Sequence, residues 1–244
     1  MTTSLDSTVG EIVAQDFRTA AVFERHKIDF CCGGGRSLED ACRERGVDPG
    51  SLRAELEAAC ATGAAAPRFA AWDAGTLIDY IVANHHDYVR QALPALMAHS
   101  EKLARVHGGR HPELLEIAEL VHEVAVDMTS HMMKEEHILF PCIRAAALAV
   151  KDGCPIPQSP FGSVANPIRM MEAEHESAAG AMERIRELSG GYQVPPDGCT
   201  TYRVCMQELA AFEQDLHAHV HLENNILFPG ARRRESHQSA VDSR

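Results

Sequence analysis

Two stretches decide the fold: Ser130-His131-Met132-Met133-Lys134-Glu135-Glu136-His137-Ile138-Leu139-Phe140-Pro141 and His219-Val220-His221-Leu222-Glu223-Asn224-Asn225-Ile226-Leu227-Phe228-Pro229. Each sets a histidine and a glutamate four positions apart and ends in an apolar run closed by proline. Four residues are a little over one helical turn, so each His-x-x-x-Glu pair stacks on one face. Upstream of the first pair lies the stripe Ile117, Leu120, Val121, Val124 and Met128, which runs into His131 and Glu135 and continues as Ile138 and Cys142. Upstream of the second lie Leu209, Phe212 and Leu216, leading to His219, Glu223, Ile226 and Leu227. Ligand-type side chains thus occupy positions where the helical period demands a core.

Two more amphipathic segments complete the pattern. Ile168, Met171, His175, Ala178, Met182 and Ile185 form a stripe with one inward imidazole. In the segment that starts at Asp73, a good N-cap residue, His85 continues the line Leu77, Ile81, Tyr88 and Ala92. His86 continues the line Ile78, Val82, Val89 and Leu93, and periodicity does not choose between the two. Gly108-Gly109, the Pro/Gly-rich run 152–162 and the run 190–198 separate four long helices, which predicts an all-α chain built on a four-helix bundle. Pro94 and Pro141 each remove a backbone donor and are expected to bend or end their helices.

The N-terminal part reads differently. Short helical patterns cover residues 8–60, with Ser37 and Asp40 as a variant capping box. Between them Asp29-Phe30-Cys31-Cys32-Gly33-Gly34-Gly35 makes a turn or a flexible tip. The organisation expected is a helical double-cysteine domain at 1–62, a linker at 63–72, the bundle at 73–230 and a polar, aperiodic, disordered tail at 231–244. Acidic residues outnumber Lys and Arg by 35 to 23, a formal charge of -12, which argues against nucleic acid or an anionic membrane as partner. The first residues have neither a basic nor an apolar leader and no run is long enough to span a bilayer, so a cytoplasmic location is expected. The eight cysteines lack the spacing of a secreted scaffold. Adjacent Cys31 and Cys32 cannot easily form a disulfide with each other, and the amides of the following glycines are expected to lower their thiol pKa. The other six cysteines receive no role.

Two glutamates and four histidines in a bundle interior need cations, because an unpaired buried carboxylate costs several kcal/mol. Imidazole suits iron or zinc, and two carboxylates can bridge a dinuclear centre that keeps positions open for a bridging oxygen and a small exogenous ligand. Glu172, three before His175, is a reserve ligand. His122, His137, His217 and His221 are expected on the surface.

These motifs, with His86-Asp87 and Met171-Glu172-Ala173-Glu174-His175, resemble the iron-sulfur cluster repair di-iron proteins, also called repair of iron centres proteins, over about residues 7–230. The resemblance implies a hemerythrin-like bundle behind a double-cysteine domain, with His86, His131, Glu135, His175, His219 and Glu223 as ligands. It further implies Glu135 and Glu223 as bridges and two non-haem irons per chain, oxo- or hydroxo-bridged. The expected function is restoration of iron-sulfur clusters damaged by nitric oxide or oxidants, by donation of iron, in a homodimeric stress protein that is not a conventional turnover enzyme. The alternatives are an oxygen or nitric oxide carrier or sensor, and a nitric oxide reducing enzyme. Cys31 and Cys32 are expected to contact a damaged cluster, bind metal transiently or meet a partner chain.

Overall fold

The computed structural model describes residues 4–61, 67–157, 159 and 161–242, and its regular segments are helices. Residues 62–66, which include the first four of the ten expected linker residues, lie outside the described residues, as do 158 and 160 of the Pro/Gly-rich connection. In chain order the helices are α1 (Val9–Gln15), α2 (Ala20–Arg25), α3 (Leu38–Arg45), α4 (Pro49–Ala61), α5 (Ala74–Ile81), α6 (Asp87–His107), α7 (Glu113–Lys134), α8 (Phe140–Lys151), α9 (Ala165–Leu188), α10 (Thr200–Leu222) and α11 (Phe228–Asp242). Among the described residues the only β-type pairing is one antiparallel bridge between Thr8 and Ser37, and no helix is long and apolar enough to cross a membrane. The chain divides into two compact units.

One unit comprises Met1–Ile78, Arg144–Gln158 and Ala218–Arg244. Val9, Ile12, Phe23, Leu38, Leu52 and Leu56 fill its N-terminal core, none more than 1% exposed. Each such side chain contributes about 1.5–3 kcal/mol of burial. Thr8 and Glu11 cap α1 reciprocally, and the amides of Val9 and Gly10 bond to the carbonyls of Arg36 and Gly34 at 2.9 and 2.8 Å. Those amides are the donors a helix start leaves unsatisfied, so the 29–36 turn and α1 complete each other. Ser37 accepts the Asp40 amide at 3.1 Å and donates its hydroxyl to the Asp40 carboxylate, which confirms the variant cap. Phe69, within the expected linker, is buried edge-on against Phe17 and Trp72.

The other unit comprises Asp79–Ile143 and Ser159–His217. Helix α6 packs on α7 and α7 on α9. Tyr88 against Phe212 and His99 against Glu208 join α6 to α10, and Arg186 reaches Glu213 from α9, closing a ring of four helices.

Among the described residues, three wide helical turns interrupt the long helices, at Val82–His86, Glu135–Leu139 and Glu223–Leu227. Each is closed by an i→i−5 bond, from the amides of Asp87, Phe140 and Phe228 to the carbonyls of Val82, Glu135 and Glu223. Such π-helical turns add one residue to the period. The expected stripe is therefore corrected beyond each of the two glutamates. Leu139 and Ile143 are buried where Ile138 and Cys142 were expected, and Ile138 is 46% exposed. Likewise Leu227 and Phe228 are buried while Ile226 is half-buried. Pro141 follows such a turn as the second residue of α8, and Pro94 lies inside α6 without ending it. Helix α11 runs on to Asp242, because Ala231, Arg232, Arg233 and Arg234 are strong helix formers placed directly behind a formed turn.

Candidate metal centre

The three wide turns begin or end on ligand-type residues: His86 ends the first, Glu135 opens the second and Glu223 opens the third. A turn that takes an extra residue re-aims the side chain at its edge. This explains why periodicity left the first helix open. Ile81 is fully buried, a regular helix would bring His85 under it, and the extra residue brings His86 there instead.

In the unit built around α6, α7 and α9, His86, His131, Glu135 and His175 are at most 1% exposed. His86 Nε2 lies 3.4 Å from Glu135 Oε2, and His131 Nε2 lies 3.3 Å from the same oxygen. His175 Nε2 is 2.9 Å from His131 Nε2. The far nitrogens are held from outside, His86 Nδ1 by Glu136 at 2.6 Å and His131 Nδ1 by Glu174 at 2.9 Å. A carboxylate on Nδ1 fixes the proton there and turns the Nε2 lone pair inward. Two inward lone pairs aimed at one carboxylate oxygen repel it unless a cation lies among them, so this donor set fits a metal ion. Arg90 in turn bonds Glu136, and Lys134 bonds Glu174 at 2.5 Å. Burial pushes the Glu174 carboxyl up, but the bonds from Lys134 and His131 outweigh it and leave it below the usual range.

His85 faces elsewhere, with Nδ1 on Asp215 at 2.8 Å and its ring edge-on to Tyr80. Glu172 is half-buried and does not join the clustered ligand atoms. Glu136, Glu174 and Asp215 are the residues that sequence reasoning missed. The signal was an acidic residue directly beside a candidate ligand in two of the three cases.

In the other unit, His219 and Glu223 are fully buried, with Nε2 and Oε1 3.1 Å apart. His221, expected on the surface, is fully buried too. Its Nδ1 meets the Phe30 carbonyl at 3.4 Å, and its ring packs against Phe17 and Phe30. Burial pulls its pKa down to about 4, so it stays neutral. His217 is half-buried, while His122 and His137 are exposed as expected.

The double-cysteine segment is an ordered turn. Asp29 accepts the amides of Cys31 and Gly33 at 2.9 and 2.7 Å and the Cys31 thiol at 3.2 Å. The expectation that nearby amides lower the thiol pKa is overturned at Cys31, because those amides are spent on Asp29. Hydrogen bonding to Cys32, burial and the Asp29 carboxylate push the Cys31 thiol well above the usual range. Cys32 is half-buried, and all eight cysteines are free thiols. Asn225 donates its amide to the carbonyls of Phe30 and Cys31 at 3.2 and 3.0 Å. Its side chain sits in a notch where a Cβ on Gly10 or Gly34 would come within 2.3 or 2.4 Å of Asn225 Oδ1.

Known proteins share this plan. Residues 5–60 match a domain of unknown function, DUF542, and residues 77–231 match the hemerythrin HHE cation binding domain. The chain is 34% identical over 231 residues to the iron-sulfur cluster repair protein YtfE of Musicola paradisiaca, covering 95% of this chain and 98% of that one. It is 34% identical to the protein of the same name from Cronobacter sakazakii, over 93% and 96% of the two chains. With that of Pectobacterium carotovorum subsp. carotovorum the identity is 35%, over 94% and 98%. With both domains matched in order and the alignment nearly end to end, the chain belongs to the family of the iron-sulfur cluster repair proteins.

Proposed function

We propose that His86, His131, Glu135, His175, His219 and Glu223 hold two iron ions per chain, with Glu135 and Glu223 bridging, and that the protein repairs damaged iron-sulfur clusters by giving up this iron. The observation that carries the reading is the buried set of imidazole nitrogens turned on Glu135 by carboxylates behind them. The bound iron would supply an exchangeable, redox-active cation. The chain's own residues set how firmly it is kept. Glu136 and Glu174 hold the protons on Nδ1 and raise imidazole basicity, while Arg90 and Lys134 temper that effect by drawing on the same carboxylates. No thiolate belongs to the ligand set, and oxygen and imidazole donors release iron more readily than thiolates do. Of the two cysteines, Cys32 is the one left accessible to a client, since Cys31 is buried with its thiol donated to Asp29.

The test begins with the iron content and visible spectrum of anaerobically purified protein, followed by mixing with an iron-sulfur hydratase stripped of cluster iron. About two irons per chain, lost in step with recovery of the hydratase, is the expected outcome. Iron retained while nitric oxide is bound reversibly or consumed would instead make the protein a gas carrier or reductase.

A further inference from the structure

Far from these ligands, the last turn of α6 meets the start of α10. Helix α6 has 21 residues, about 30 Å of rise, between His86 and this end. Cys199 precedes α10 directly and is exposed. Behind it lies His107, only 6% exposed, with Nε2 at 3.4 Å from the Cys199 sulfur. That contact is the imidazole's only side-chain hydrogen bond among the described residues, and its Nδ1 is buried without a partner. Tyr202 covers the ring edge-on at 5.7 Å. With Nδ1 bare, Nε2 is the ring atom left for polar contact, and it is aimed at the sulfur. Burying a histidine whose sole polar partner is a thiol makes sense where that thiol carries charge.

The α10 N-terminus adds to this. The amides of Tyr202 and Thr201 also bond the sulfur, at the positive end of a 23-residue helix. Among the other charges nearby, Lys102 bonds the Thr201 hydroxyl at 3.1 Å. Asp197 is held by His111 at 3.1 Å and by Arg110 at 3.2 Å, and Glu113 faces the other His111 nitrogen at 3.2 Å. The Tyr202 phenol is pushed up by burial and stays neutral. The Tyr202 amide first, then His107, outweigh the opposing burial and draw the Cys199 thiol down to about 7.

We propose that Cys199 is a thiol-exchange site for the disulfide of a small thiol. The Cys199 thiolate attacks one sulfur of that disulfide, its S–S bond breaks, and the other sulfur leaves as a thiolate that takes a proton from solvent. A mixed disulfide on Cys199 results, and an external thiol reverses it. The small disulfide is the oxidant, and one S–S bond is exchanged for another.

The experiment uses the full-length protein and two probes, iodoacetamide across a range of pH and 2-hydroxyethyl disulfide at neutral pH, with each cysteine followed by peptide mass spectrometry. Cys154, also exposed, is the internal reference for the second probe. A thiol near 7 set against an ordinary one near 8.5 has more thiolate but weaker intrinsic nucleophilicity. Cys199 should therefore be alkylated about three- to sixfold faster than an unstructured cysteine peptide added as a standard at pH 6–7 and about fivefold slower above pH 9. The mixed disulfide should form first at Cys199 and vanish in Cys199→Ser. His107→Phe should move the Cys199 midpoint upward. An identical pH midpoint for Cys199 and the peptide standard, or an adduct on Cys154 in preference to Cys199, overturns the proposal. Both readings come from the unaltered chain, so they stand even where His107→Phe fails to fold.

Discussion

Glu174 shows how a single carboxylate acts through another residue. It touches His131 on the side away from Glu135 and takes Lys134 as a second partner. Glu174→Gln keeps the shape but removes the charge that polarises His131, and outer partners of this kind contribute about 10- to 100-fold in metal affinity. Iron retained against a fixed chelator concentration should fall by that factor, with the far-ultraviolet circular dichroism unchanged. Asp16 gives a prediction in pH. Arg18 binds its carboxylate through Nε at 2.9 Å and Nη2 at 2.5 Å, and this bond chiefly holds the Asp16 carboxyl below its usual value. A folded value below the unfolded one stabilises the fold above the unfolded pKa of about 3.9, and that stability is lost as pH falls through the folded value. Asp16→Asn should therefore lower the urea midpoint at pH 7, and the gap to the parent should shrink as pH falls below about 3.9 toward the lowered folded value. His221 marks what residue-level reading misses. A helix with one apolar stripe was expected to expose the opposite face, but Phe17 and Phe30 arrive there from positions remote in sequence.

At the scale of elements, the helices themselves were legible from their stripes, caps and glycine punctuation, as Ser37 with Asp40 and Asp73 with Thr76 illustrate. The wide turns were not, because a period of 3.6 carried through Glu135 points to Ile138 and Cys142, and one extra residue turns the buried side to Leu139 and Ile143. The same slip hid the choice between His85 and His86. Asn225, two residues past Glu223 in the third wide turn, ties that turn to the double-cysteine segment. Asn225→Ala takes one donor from each of two carbonyls, of which that of Phe30 keeps His221, and should cost about 1–3 kcal/mol in chemical denaturation. Gly34→Ala, whose Cβ would fall 2.4 Å from Asn225 Oδ1 and 2.6 Å from the Phe30 carbonyl oxygen, should cost a similar amount. Both changes break one contact, so the double variant should lose less than the sum. Cys32 should be alkylated faster in each.

For the molecule as a whole, the proposed ligands come from several helices, which would make a bound cation a partner in stability. A cation that binds only the folded chain adds about 2.7 kcal/mol at a free concentration one hundred times its Kd. Chelation should therefore lower Tm in the parent and leave it unmoved in Glu135→Ala. That variant should lose its iron yet keep most of its helix signal, since the apolar contacts around Leu96, Ile117, Met128, Met182 and Phe212 remain. The all-α class was readable from residue types and spacing, and the family from the resemblance that the motifs carry. The two compact units were less so, because each is assembled from separated stretches of chain and sequence order does not announce which stretches will pack.

The notch that receives Asn225 also has a bearing on biosynthesis. The carbonyls of Phe30 and Cys31 wait for a side chain 195 and 194 positions downstream. On a ribosome adding about 5–20 residues each second, that wait is on the order of 10–40 s. Through that interval the nascent double-cysteine turn has its local bonds but not its latch, so thiol chemistry on the growing chain precedes the protection that the finished one enjoys.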